Sequence, residues 1–142
     1  MKVVRETIRL ATQQKMEFLD ITKWVRECLV KHGVKEGVLL LNSLHTTVAL
    51  FINEFQEALL YDLRALLGRL IKEQDGYRHN DPRYSDCDRN NAASHLRAMF
   101  LGRNLALGVA DGELVLGKFQ SIIFAELDGP RERELEVQVI GE

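Results

Sequence analysis

"RERELEVQVI", Arg131–Ile140, alternates with a period of two. Glu132, Glu134, Glu136 and Gln138 fall on one side; Arg131, Arg133, Leu135, Val137 and Val139 fall on the other. Successive side chains of a strand point to opposite faces, so this is a strand with a wet face and a core face. Working back along the chain, Phe119–Glu126, Glu113–Leu116 and Leu105–Ala110 read as further strands. Asp111-Gly112 suits a hairpin turn, and "LDGPR" (127–131) is another turn.

Helices belong to the earlier part. Ile21, Trp24, Val25, Cys28 and Leu29 repeat at i, i+3, i+4, i+7 and i+8, one buried helix face, with Asp20 as its N-cap and Gly33 as its C-cap. His32 sits in the last turn, where positive charge suits the helix dipole. Asn53 with Gln56 three residues later reads as a capping box for a helix over Glu54–Leu70. Phe55, Leu59, Leu63, Leu66, Leu67 and Leu70 lie on one side of that helix. Val3–Ala11, Gly37–Asn42 and Thr46–Ile52 read as strands, and Asn91–Leu101 as a short helix. The polar segment Lys72–Asn90 is a long loop, and long loops in compact domains are often functional. Early helices followed by a run of strands give one α+β domain over residues 1–142, with a mostly antiparallel sheet.

The chain has 142 residues, 46% hydrophobic and 28% charged, enough for a real core. A net charge of −2 supplies no basic field, which argues against nucleic acid as a partner. No run approaches the ~18 apolar residues of a membrane span. The N-terminal stretch alternates like a strand and lacks a signal-peptide hydrophobic region, so a soluble, cytoplasmic protein is expected. Cys28 and Cys87 are far apart and form no CxxC motif. Cys28 lies on the apolar helix stripe as a small hydrophobe, whereas Cys87 sits among aspartates as a free thiol or a stray metal ligand.

Several polar residues stand where a core needs none. In "LHTTVALFINE" (44–54), His45 opens a strand and alternates onto one side with Thr47, Ala49 and Phe51. Glu54 is either a first-turn acid or a site residue. Asp62 lies at the margin of the leucine stripe, half covered, and wants either a salt-bridge partner or a role in a site. His95 sits at the edge of the apolar face of its helix, and His79 lies in the long loop; both are either structural or ligands. Three histidines from a strand end, a loop and a helix suffice for a tetrahedral zinc-type site with one open position, although their spacing matches no local zinc motif. Strand parity puts Arg131 and Arg133 on the core face, where they need a phosphate or an internal carboxylate, unless they guard a sheet edge. The same parity groups Gln120 and Glu126 with Ile122 and Phe124.

Read in order, "HTT-x-x-x-x-INE", an Asp eight residues after that Glu, "Y-x-H", "N-x-A-x-H", "DG-x-L-x-LG-x-x-Q" and "E-x-DGPR-x-R" closely resemble the YjbQ family, also called the secondary thiamine-phosphate synthase family. The resemblance spans almost the whole chain. It implies a β-sandwich or barrel-like sheet with helices packed on one side, assembled as a homotrimer. It implies a pocket between subunits, with a divalent metal (zinc or magnesium) or an anion near His45, His79 and His95. Glu54 and Asp62 match as catalytic carboxylates; Gln120, Glu126 and Arg131 match as ligand-binding groups, with Arg133 beside them. The family usually has Trp-Gln where this chain has Phe119-Gln120, and the 80–90 loop is longer than is common.

The implied reaction joins hydroxymethylpyrimidine diphosphate to a thiazole phosphate and releases pyrophosphate. Two further readings stand beside it: a metal-dependent hydrolase of a phosphorylated small molecule, and a non-catalytic trimer that binds a metal or metabolite. Neither an activated Ser or Cys nucleophile nor a glycine-rich phosphate loop is apparent.

Overall fold

A computed structural model describes residues 1–142. In chain order the elements are β1 (Lys2–Ala11), β2 (Glu17–Asp20), α1 (Thr22–His32), β3 (Gly37–Ser43), β4 (Val48–Asn53), α2 (Glu57–Leu70), a 3-10 turn (Arg78–Asn80), α3 (Ala92–Leu101), β5 (Asn104–Ala110), β6 (Glu113–Leu114), β7 (Ser121–Glu126) and β8 (Glu132–Gly141). All strand pairs are antiparallel. One sheet has the order β1-β8-β3-β5-β6 and the other β2-β7-β4.

The period-two face of β8 is core, as its alternation requires: Leu135, Val137 and Val139 are buried, together with Leu39 and Leu41 of β3. Across the sandwich they meet Val48 and Leu50 of β4, Ile122 and Phe124 of β7, and Val25, Cys28 and Leu29 of α1. The opposite face of the small sheet, with Ala49, Ile123 and Ala125, packs on Leu67 of α2 and Ala98 of α3. Strands covered on both faces read as unbroken apolar runs, which is why "VALFI" and "SIIFA" do not alternate.

Local signals hold at several ends. Gly33 has φ 68° and closes α1, its N–H donating to Leu29 and Val30 carbonyls. Asp111 (φ 53°) and Gly112 (φ 78°) turn β5 into β6. Asp20 accepts from the Thr22 N–H and hydroxyl at 3.0 and 2.6 Å, although Ile21 occupies the cap position itself. Burial pushes the Cys28 thiol up to about 11, as suits a core residue. His32 adds a contact to Glu6 at 2.8 Å.

Other expectations are corrected. The strand expected from Phe119 begins at Ser121, because Gln120 is held in a turn where its carboxamide oxygen accepts the Gly117 N–H at 2.7 Å. α2 begins at Glu57, capped by Gln56, whose side chain accepts from Leu59 N–H at 2.8 Å. Asn53 instead ends β4 and accepts from the next residue's N–H. The leucine stripe of α2 is largely uncovered: of its residues only Leu67 is fully buried, while Leu66 is 39% and Leu70 57% exposed. β2, four residues long, is too short to display a period and was not foreseen.

Candidate active site

His45 does not open a strand. Its backbone N–H donates to Ser43 Oγ at 3.1 Å, bending the chain between β3 and β4, and β4 starts only at Val48. The bend aims the ring at β8, where His45 Nε2 accepts the Glu134 N–H at 2.9 Å. The proton of the neutral ring therefore sits on Nδ1. Burial first, and then the Arg133 charge, hold the His45 pKa below its ordinary value.

His79 lies on the 3-10 turn, and His95 one turn into α3. The loop is tied down beside α3 by Asn80, whose carboxamide oxygen accepts the Ala92 N–H at 3.0 Å. The two rings stand edge to face with centroids 4.7 Å apart. Burial and then the neighbouring His79 hold the His95 pKa down. His45 and His95 line one cavity of about 390 Å³ with Thr46, Val48, Ala98, Met99, Gly102 and Arg103. Arg131 is close enough for its charge to depress both His45 and His95.

The two parity arginines part company. Arg133 is 1% exposed and grips Glu126, itself 0% exposed, through Nε–Oε1 at 2.8 Å and a second guanidinium nitrogen to Oε2 at 2.6 Å. Thr47 and Thr12 complete the cluster: the Thr47 hydroxyl accepts from Arg133, and the Thr12 hydroxyl donates to Glu126. The internal carboxylate is thus the answer for Arg133, and the two side chains are spent on one another and on the two threonines. Arg131 lies 3.7 Å from Asp128 Oδ2 and keeps a third of its side chain exposed, so it remains the cation able to meet an anion. Gly129 lets the "DGPR" turn come this close, since a Cβ there would stand 2.3 Å from the Gln14 carbonyl oxygen and 2.7 Å from Glu126 Cγ.

Glu54 and Asp62 are not brought to the histidines in this chain. Glu54 is exposed and lines a separate cleft with Leu59, Leu60 and Leu63. Asp62 is exposed on α2, not half covered as its stripe position implied, and makes no side-chain bond. Gln120 is exposed and spent on Gly117. No group of three or more His, Cys, Asp or Glu side chains comes together to hold a metal ion, and His45 Nε2 is already an acceptor. The residues of one chain therefore do not fit the divalent metal that the resemblance implies.

The structure adds residues that reading along the chain missed. Asp128, 2% exposed, accepts from Arg89 Nε and Asn91 Nδ2, both at 2.9 Å. Asn91 in turn meets His79 Nε2 through its Oδ1 at 3.2 Å. Both residues stand in motifs that mark the resemblance, Asp128 in "E-x-DGPR-x-R" and Asn91 in "N-x-A-x-H", but nothing along the chain joins one to the other or to His79.

The UPF0047 protein YjbQ-like family model matches residues 6–142. The chain belongs to this family. Family membership agrees with close relatives. A UPF0047 protein of Methanothermobacter thermautotrophicus is 40% identical over 141 residues, covering 99% of this chain and 94% of that protein. YugU of Bacillus subtilis is 30% identical over 136 residues, covering 96% and 98%. Among solved structures, a YbjQ-like protein of unknown function from Sulfolobus solfataricus superposes with TM-score 0.91 at 35% identity, over 99% of both chains. A hypothetical protein from Aeropyrum pernix superposes with TM-score 0.89 at 32% identity, over 98% of this chain and 99% of that one.

Proposed function

We propose that this UPF0047 member is a cytoplasmic transferase of the thiamine-phosphate-synthase type, working at low rate on phosphorylated small molecules. The supporting observation is the His79–His95 pair at 4.7 Å, beside a cavity of about 390 Å³ that His45 and His95 line. In the reaction, the bond from the pyrimidine methylene carbon to the diphosphate oxygen breaks, and its electron pair leaves with pyrophosphate. The thiazole nitrogen then supplies the pair for the new C–N bond. That nitrogen becomes quaternary, so no proton need be removed from it. Negative charge grows on the leaving oxygen, where preorganised cations and acids matter most. Arg131 meets this charge, and one proton held by the His79–His95 pair can be donated to it.

The reading includes a homotrimer. α2 presents Leu59, Leu66 and Leu70, all exposed, next to the unengaged Asp62. A second copy seated there brings Glu54 and Asp62 toward its own histidine cleft. A divalent metal enters this reading only with donors from that second copy.

The test is thiamine phosphate formation by pure protein supplied with both substrates, with and without divalent metal. Product is expected from wild type and is lost in His79→Ala and His95→Ala. No product at high enzyme concentration rules the assignment out, and phosphate release from simple phosphomonoesters would then favour the hydrolase.

A further inference from the structure

Building on the reading of His79 as a proton-transfer group, we propose that Asn91 and Asp128 are positioning residues. They hold His79 in the tautomer that carries its proton on Nε2 and leaves Nδ1 as the nitrogen that takes up a proton and hands it on. Hydrogen-bond polarity carries the argument. An ionised carboxylate only accepts, so the Asn91 atom 2.9 Å from Asp128 Oδ2 must be the amide nitrogen. The Asn91 oxygen then faces His79, and Nε2 at 3.2 Å must donate to it. Turning the amide over would set oxygen against oxygen at Asp128.

The anchor is stiff. Asp128 is 2% and Asn91 3% exposed, and Arg89 Nε fixes the same carboxylate oxygen at 2.9 Å. Arg89 and Asn91 hold Asp128 ionised against a burial cost that would favour its neutral form. Asn91 Oδ1 is also met by the Cys87 thiol at 3.6 Å, a second donor to an atom already placed as an acceptor. The Asn91 backbone carbonyl accepts the His95 N–H at 3.2 Å, so one residue sets the position of both histidines. Nδ1 of His79 has no hydrogen bond and is not a buried atom, which leaves it free to exchange a proton. When Nδ1 takes a proton, the charge on the ring is steadied through Asn91 by Asp128, which is not itself protonated. The tautomer is set by the bond at the other ring nitrogen, as in other oriented histidines.

The experiment is nitrogen-resolved imidazole NMR on full-length, uniformly labelled protein at a pH where His79 is neutral. Wild type should show the Nε2–H tautomer at His79. Asn91→Ala and Asp128→Ala, each checked for fold by circular dichroism, should show mixed tautomers. If the transferase reading holds, kcat should also fall about ten- to a hundredfold with KM little changed. An Nδ1–H tautomer in wild type, or an unchanged tautomer in the variants, overturns the proposal. Wild type alone decides the matter if neither variant folds. Shifted tautomers in a protein that makes no thiamine phosphate would keep the positioning role and discard the transferase; turnover with unshifted tautomers would do the reverse.

Discussion

Arg133 and Glu126 face one another in a two-pronged ion pair of 2.8 and 2.6 Å, with essentially no solvent on either side chain. They are seven residues apart in sequence, joined by the "DGPR" turn. Burying both charges is costly, and the cost is offset only because the fork is satisfied and Thr12 and Thr47 take the remaining bonds.

Removing one partner should therefore destabilise the protein by about 3–5 kcal/mol, because the other charge stays buried and alone. Arg133→Met and Glu126→Leu should each show this loss in urea unfolding, and the double variant should recover much of it. Arg133→Lys should also destabilise, since an ammonium cannot make the fork. A Lys variant of unchanged stability that binds phosphate less well would instead make Arg133 a ligand.

Acid should weaken the fold through the same carboxylates. Burial alone would raise the Glu126 pKa, but bonds from Arg133, Thr12 and the Asp128 N–H outweigh it and hold it below 4.5. Asp128 is likewise held below 3.8, with Arg89 and Asn91 outweighing burial. The unfolded chain then takes up protons first as pH falls. This contribution is complete above the unfolded values and is lost as pH drops through the folded ones. The urea midpoint should decline below about pH 4.5, and Glu126→Gln should flatten that decline. A midpoint that rises on acidification would contradict the pair's role.

The exposed stripe of α2 makes assembly testable. Light scattering should report three copies for wild type. Leu66→Lys with Leu70→Lys should give a folded monomer, because charge is disfavoured in the core of an interface. A monomeric wild type would remove the proposed second copy.

A shared site should also complement. Mixing refolded Asp62→Ala and His79→Ala chains, each inactive alone, should restore about a quarter of the activity, by random assortment around a symmetric ring. No recovery in mixed trimers would place Asp62 outside the site, or the whole site within one chain.

The cysteines give a simpler check. Cys28 is buried with its thiol pushed up to about 11, and Cys87 is partly exposed. A thiol reagent should modify Cys87 in the native protein and both residues only after unfolding. Rapid native labelling of Cys28 would show that α1 opens readily.

Local patterning by itself determined the strand faces of β8, the Asp111-Gly112 turn, the end of α1 at Gly33 and the ordered motifs that mark the family. These features follow from side chains two to four residues apart, so the sequence carries them directly. It also offered His45, His79 and His95 as one group, and the structure brings His79 against His95 while His45 shares a cavity with His95. Tertiary structure alone decided that Arg133 meets a carboxylate, that His45 Nε2 is spent on β8, and that Asp128 reaches His79 through Asn91. It alone also decided that most of the apolar stripe of α2 lacks a cover. The physical reason is the same in each case. A polar group or an apolar face takes whichever partner the register of distant strands delivers, and that choice depends on the whole chain folding together.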